Sequence, residues 1–247
     1  MRSRTTRAWA AAAGACVLLA CLAACETNDG TVSRADRSFP FTGGSLKIEA
    51  HETALTVVGG PRGEITAERE LRGSAAKDGN ASWSMRGDTL TMRVECSGLV
   101  VSCESRHRVR VPEDVGLTII ASGGTVRLEG LTGDVTAALS HDGALRVLRP
   151  EGRLRLRSTG GGISVTGARS SQVEAITSGD GNIDLAFAAA PSRVEARAAG
   201  SVGITLPAGA ETYRIDAPGS DVPSDPSSDR LIIARALDGA VTIRTAR

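Results

Sequence analysis

The sequence predicts an all-β fold, a single-domain parallel β-solenoid with short strands every 9–10 residues. Two observations support it. Two apolar residues separated by one variable residue, as in Leu117/Ile119, recur along the chain, and this alternation places both apolar side chains on one face of a strand. Glycine also recurs every 19 residues, which is the period expected if two strands make one coil and the coils stack. These glycines are Gly124, Gly143, Gly162, Gly181 and Gly200.

An antiparallel β-sandwich is the alternative, because it also has strands at 8–12-residue spacing. A sandwich needs no long-range register, so the 19-residue period favours the solenoid. Eighteen apolar units, from Leu46/Ile48 to Leu231/Ile233 and Val241/Ile243, then predict about nine coils of two strands, about 4.8 Å apart. Tight glycine-rich corners are expected between strands, because glycine permits a positive φ.

Two segments, residues 68–89 and 207–230, interrupt the repeat. In the first, alternating residues on both sides of Arg86-Gly87-Asp88 predict a β-hairpin, since Gly-Asp suits a tight turn. The second is rich in proline, serine and aspartate, which predicts a loop. Insertions in solenoids map to loops, and loops often bind partners.

The first residues carry an address. Three arginines precede an uncharged apolar stretch over residues 8–24, which is too short for a membrane span and is typical of a secretory signal. The stretch ends in Leu22-Ala23-Ala24-Cys25, which resembles a bacterial lipobox. The resemblance implies that Cys25 carries diacylglycerol and becomes the first residue after cleavage. A plain secreted protein, or cleavage before Cys21, is the alternative.

Three segments are therefore expected: a lipoprotein signal peptide over 1–24, the lipidated Cys25 with a flexible tether over 25–38, and a β-solenoid domain over 39–247. The lipid would be the membrane anchor, since several buried acyl chains hold firmly. The predicted location is extracytoplasmic, at the cell membrane of a bacterial envelope.

The five cysteines are explained by the same address. Cys16 and Cys21 leave with the signal peptide, and Cys25 carries the lipid. Cys96 and Cys103, with six residues between them, remain in an oxidising compartment and are expected to form a disulfide. Two cysteines do not complete a zinc site, so neither a metal nor a cofactor is predicted.

Composition excludes several functions. The 29 basic residues nearly balance the 28 acidic ones, and loss of the signal peptide leaves a net charge of −2, so nucleic acid is not expected as a partner. Six aromatic residues among 247 offer little for a stacking platform or an aromatic-lined pocket.

No catalytic residues are predicted. Consecutive residues cannot form a linear hydrolytic relay, so Ser140-His141-Asp142 is interpreted as a corner turn. Arg153, Arg155 and Arg157 make one exposed basic row, on which an anionic glycan or teichoic acid could bind. The alternative is that Arg155 pairs with Glu174 on the next coil.

The lipobox, the tether and the serial Gly-x-Val-x-Val units, with a cysteine-bearing segment before Val109-Arg110-Val111-Pro112, resemble the bacterial DUF4097 family of adhesin-type proteins. The resemblance covers about residues 39–247. It implies a β-repeat protein of the cell envelope, often a lipoprotein, and it transfers no catalytic residues. The expected function is a non-catalytic interaction or structural module whose partner is an envelope protein or a polysaccharide. An envelope enzyme acting on polysaccharide and an accessory or sensory lipoprotein are the alternatives.

Overall fold

A computed structural model describes residues 32–97 and 102–246 of the chain. The predicted signal peptide, Cys25 and residues 26–31 lie outside the described residues. None of the helical segments in the described ranges is long and apolar enough to cross a membrane.

The described chain forms twenty strands and one short 3-10 helix, Ser74–Ala76. The strands are β1 (Val32–Phe41), β2 (Ser45–His51), β3 (Ala54–Gly60), β4 (Gly63–Gly73), β5 (Ala81–Arg86), β6 (Thr89–Val94), β7 (Cys103–Pro112), β8 (Gly116–Ser122), β9 (Val126–Glu129), β10 (Val135–Ser140), β11 (Leu145–Leu148), β12 (Leu154–Ser158), β13 (Ile163–Ala168), β14 (Gln172–Thr177), β15 (Ile183–Phe187), β16 (Arg193–Ala198), β17 (Val202–Leu206), β18 (Arg214–Asp216), β19 (Leu231–Ala236) and β20 (Val241–Thr245).

The strands build two ten-stranded sheets. Sheet A has the order β1-β4-β7-β3-β9-β11-β13-β15-β17-β20, and sheet B has the order β18-β19-β16-β14-β12-β10-β8-β2-β6-β5. From β8 to β17 the chain alternates between the sheets, and each strand pairs in parallel with the strand two places later. The predicted parallel solenoid, with two strands per coil, is therefore confirmed, and the antiparallel sandwich is not.

The core lies between the sheets. Alternate residues of each strand are buried, as Leu154 and Leu156 are in β12, while the residues between them face outward. The buried residues form one continuous, mainly aliphatic cluster along the stack. Each coil therefore covers the aliphatic side chains of its neighbours, and this burial is the main favourable term for the fold.

The glycine column differs by one position from the prediction. It contains Gly124, Gly143, Gly181 and Gly200 as expected, but Gly161 takes the place of Gly162, because β11 pairs with β13 after 18 residues and β13 with β15 after 20. A Cβ on Gly143 would lie 2.4 Å from the carbonyl oxygen of Gly124. Close stacking of backbones, rather than positive φ, is the reason for glycine at most of these corners; Gly124 alone among these five has positive φ.

The N-terminal end departs from chain order. β6 and β7 stack beyond β2 and β3, although they come later in sequence, and β4 and β1 follow antiparallel to β7. The unit Ile65/Ala67 therefore belongs to an antiparallel strand, not to a stacked coil. β5 and β6 form the predicted hairpin over Arg86-Gly87-Asp88, with Gly87 at φ 53°. β4 also continues to Gly73, within the segment expected to interrupt the repeat.

Two further expectations are corrected. Residues 32–38, expected as part of the tether, belong to β1, which pairs with β4 over its whole length. In β19, Ile232 and Ala234 face the core instead of Leu231 and Ile233. Local alternation could not fix this register, because Leu231-Ile232-Ile233 is apolar on both faces. The pairing of Ile232 with the buried Val194 sets it.

Candidate interaction surfaces

The predicted disulfide is present and joins the two sheets. Cys96 follows β6 of sheet B, and Cys103 begins β7 of sheet A, with 6.3 Å between their Cα atoms. Cys96 packs against a small apolar cluster of Leu71, Ala75 and Val94. The bond therefore fastens the hairpin to the opposite sheet. The other predicted site residue, Cys25, lies outside the described residues.

Ser140-His141-Asp142 forms a corner between β10 and β11, as predicted. The Ser140 hydroxyl donates to the carbonyl of Ala121 at 3.4 Å, and the exposed His141 accepts a φ of 62°. These positions serve the turn and do not line up as a proton relay. In residues 32–97 and 102–246, no three histidine, cysteine or acidic side chains cluster as a metal site would require.

A tryptophan covers the N-terminal end of the core. Trp83 of β5 is 6% exposed, and its ring lies 4.8 Å from the guanidinium carbon of Arg69 and 5.2 Å from that of Arg37. Arg37 also donates to the Trp83 carbonyl at 3.3 Å. Cations over an aromatic face are stabilising, more so when they are desolvated. Because β1 and β5 are the edges of the two sheets, these contacts close this end of the stack.

His107 of β7 lies behind the tryptophan. It is 2% exposed; its ring centroid is 6.0 Å from that of Trp83, and its Nδ1 atom lies 2.8 Å from the Thr53 hydroxyl. Burial, with a smaller contribution from the charge of Arg69, lowers the pKa of His107 to about 4. The imidazole is therefore neutral at neutral pH, and its Nε2 atom has no hydrogen-bond partner within the described part of the chain.

The outer face of sheet B carries arginines bound by carboxylates. Arg193 and Arg197 both contact Glu195, and Arg157 donates to Glu174 at 2.8 Å. The prediction that Arg155 pairs with Glu174 is wrong. Arg155 and Glu174 are register partners, but the longer reach along the strand brings Arg157 to the carboxylate.

Glu174 and Glu195 are direct neighbours on adjacent strands, the arrangement that an envelope hydrolase would need. Burial raises the pKa of Glu195, but hydrogen bonds from Arg197 and Arg193 outweigh this and hold it below its ordinary value. A carboxylate held ionised in this way does not supply the proton that a general acid must donate. The pair is thus better explained as part of a surface ion network.

The outer face of sheet A carries a second set of arginines, which the sequence analysis missed. The set, called the arginine face below, occupies outward positions of β7, β9 and β11 and the residue after β11. It consists of Arg106, Arg108, Arg110, Arg127, Arg146 and Arg149. The signal was available, because Arg106, Arg108 and Arg110 alternate at period two exactly as Arg153, Arg155 and Arg157 do.

Register brings the arginine face together. Arg108 pairs with Thr56 of β3, Thr56 with Arg127, and Arg127 with Arg146. The four residues therefore form one row across four neighbouring strands. Only Arg127 and Arg149 have a carboxylate within 4.0 Å in the described residues, and both contact Glu129.

The second insertion, residues 207–230, is largely a loop, as predicted. It contains the three-residue strand β18, which pairs with β19 at the edge of sheet B, and Tyr213 is buried beneath it. Ser224 donates to the Ile215 carbonyl and forms a bridge with Tyr213. The loop thus covers the edge of sheet B that β19 would otherwise expose, which protects against edge-to-edge association.

No protein-family model and no curated protein match the chain. Several solved structures have a similar arrangement. A putative adhesin from Bacteroides fragilis is 14% identical, with a TM-score of 0.47, over 87% of this chain and 97% of that one. A putative adhesin from Parabacteroides distasonis is 10% identical, with a TM-score of 0.45, over 89% and 98%. A putative cell adhesion protein from Clostridium sporogenes is 9% identical, with a TM-score of 0.40, over 87% and 100%. At these values the likeness assigns neither a family nor a function.

Proposed function

We propose that this protein is an extracytoplasmic lipoprotein, anchored to the cell membrane through Cys25, whose β-solenoid is a non-catalytic interaction module of the cell envelope. It would then be an adhesin-type protein of the DUF4097 kind. The observation that supports this best is the division of the domain into an interior filled by aliphatic side chains and two broad outer faces with rows of charge. Such faces suit contact with a large partner better than conversion of a small substrate.

The lipid anchor rests on the sequence of residues 1–25. Its basic start, apolar stretch and Leu-Ala-Ala-Cys ending support cleavage before Cys25. The described domain begins at Val32, so few residues separate the lipid from β1. The partner in this proposal is an envelope protein or a polysaccharide, held on an outer face.

Membrane fractionation in a bacterial host tests the anchor. The full chain should stay in the membrane fraction and incorporate labelled fatty acid, whereas Cys25→Ala should lose the label and leave that fraction. Cys21→Ala is the matched control, because Cys21 lies in the competing cleavage frame, and it should behave as the unaltered chain does. A Cys25→Ala chain that still carried labelled fatty acid would contradict the proposal.

A crosslinking pulldown from intact envelopes tests the interaction role. The full chain should enrich one envelope protein or polysaccharide, and the enrichment should be lost when charges on an outer face are removed. Hydrolysis of envelope polysaccharide by the purified chain would instead support the enzyme alternative. Glu195→Gln would be the variant that decides whether the paired carboxylates carry that activity.

A further inference from the structure

The two outer faces differ in how their arginines are neutralised. On sheet B, Arg157, Arg193, Arg197 and Arg235 each have a carboxylate within 4.0 Å. On sheet A, the arginine face has only Glu129 among it, shared by two of the six arginines. The other four, Arg106, Arg108, Arg110 and Arg146, have no such partner within residues 32–97 and 102–246, and all four are exposed.

The concentration of charge is local. The chain without its signal peptide has 26 basic and 28 acidic residues, yet the arginine face places six cations on three neighbouring strands and the turn that follows them. Like charges held close together repel one another, so the arrangement is unfavourable to folding unless an anion is present. A bound polyanion would relieve that repulsion.

The spacing suits an extended ligand. Arginines two residues apart on β7 lie about 7 Å apart along the strand, and those on β9 and β11 lie about 4.8 Å apart across it. Guanidinium groups are planar forks that bind phosphate and carboxylate oxygens through paired hydrogen bonds. A phosphate presents oxygens to guanidiniums on two adjacent strands at once, whereas a planar carboxylate is best matched by one fork.

The surroundings argue against a membrane surface as the ligand. The exposed large apolar residues in the described chain are Val32, Ile120 and Leu237, and none lies on β7, β3, β9 or β11. A surface that enters the lipid headgroup region normally adds apolar or aromatic side chains to its basic ones. A second copy of this chain is also disfavoured. The nearest acidic side chains, on β4, include Glu70, which Arg34 and Arg72 already bind.

We propose that the arginine face binds a linear polymer with repeating phosphate groups. The polymer would lie across β7, β3, β9 and β11 and contact the four arginines that have no carboxylate partner. The inference deepens the proposed function by naming the class of ligand, and it rests on that proposal for the location of the domain in the envelope.

Binding of inorganic polyphosphate to the purified full chain is the direct test. The triple variant Arg106→Gln, Arg108→Gln, Arg110→Gln should bind about tenfold more weakly or worse, because three charge-assisted contacts are lost. The matched control is Arg153→Gln, Arg155→Gln, Arg157→Gln, which removes the same charge from alternate positions on sheet B and should change affinity less than about twofold. Equal loss in both variants, or no binding by the unaltered chain, would overturn the proposal.

Further arms identify the ligand. Polyphosphate binding should weaken as salt is raised, since exposed charges are screened. Polyglutamate or vesicles of phosphatidylglycerol that bind as tightly as polyphosphate would overturn the assignment to a phosphate polymer. So would dimerisation of the chain that the sheet A variant abolishes. All substituted side chains are exposed, and an unchanged urea midpoint in both variants shows that folding is intact.

Fractionation separates this inference from the proposed function. Both triple variants should remain in the membrane fraction, because Cys25 is unchanged. If polyphosphate fails to bind while Cys25→Ala still releases the chain, only the ligand assignment is wrong. If Cys25→Ala has no effect on anchoring, the proposed location fails whatever the polyphosphate result.

Discussion

The regular coils, β8 to β17, and the N-terminal end, β1 to β7, solve the same problem in different ways. In the coils, every strand covers the next with aliphatic side chains at equivalent positions, and the chain order equals the spatial order. At the N-terminal end no further coil follows. Antiparallel strands, a disulfide and the contacts of Trp83 with Arg37 and Arg69 close the core there. A repeat can thus be built from one simple contact, whereas its end requires specific ones.

If this comparison is right, the largest effect should come from the tryptophan at the end. Trp83→Ala should lower the free energy of unfolding by about 4 kcal/mol, because it removes a buried ring and leaves Arg69 without its aromatic partner. Urea unfolding measures the loss. Trp83→Phe should cost less than half as much. A Trp83→Ala protein within about 1 kcal/mol of the unaltered chain would show that the end is closed by other contacts.

The disulfide should have the next largest effect. Replacing Cys96 and Cys103 with serine should cost about 2–3 kcal/mol, because the bond closes a loop of roughly eight residues in the unfolded chain. The same urea measurement, with the unaltered chain under reducing conditions as the control, checks it. Hydrogen exchange should rise first in β5 and β6, which the bond fastens to sheet A. Uniform loss of protection across all coils would contradict a local role.

His107 should make the N-terminal end sensitive to pH. Its pKa is about 4 in the fold and about 6.5 in an unfolded chain. Between these values the unfolded chain binds a proton that the folded chain does not, so stability falls as the pH falls. The loss should be about 2 kcal/mol between about pH 7.5 and about pH 5. His107→Gln should remove this part of the pH dependence, and an unchanged slope would contradict the assignment.

The coils offer the smallest but sharpest test. Gly143→Ala should cost about 2 kcal/mol, because the new Cβ would lie 2.4 Å from the Gly124 carbonyl oxygen and must push two coils apart. Gly44→Ala is the matched control, since nothing lies within 4 Å of its Cβ position, and it should be nearly neutral. Similar effects of the two substitutions would mean that backbone stacking does not require glycine.

The same division separates what the sequence could predict from what it could not. Period-two alternation is a local signal, so it located nearly all strands and their inward faces, including Leu154/Leu156. It failed at β19, where Leu231-Ile232-Ile233 is apolar on both faces, and at β1, whose outward Arg34 and Asp36 make it look like a tether. In both cases the neighbouring strand decides the structure.

The order of the N-terminal strands depends on pairing between distant segments, and no local pattern encodes it. For the surfaces, charge alternation in one strand was visible, as in Arg106, Arg108 and Arg110. The join with Arg127 and Arg146 was not visible, because it depends on the register between β7, β3 and β9. Likewise, the partner of Glu174 depended on side-chain reach rather than on strand pairing.

Distances along sheet B test the whole arrangement most directly. Lys47, Thr89, Thr118 and Glu195 share one outward row, in which Thr118 pairs with Lys47 and Lys47 with Thr89. Spin labels on each of the first three and on Glu195 should report separations of about 19 Å from Thr118, about 24 Å from Lys47 and about 29 Å from Thr89. A label at Thr89 that lay nearer to Glu195 than the label at Lys47 would show winding in simple chain order and would contradict the structure described.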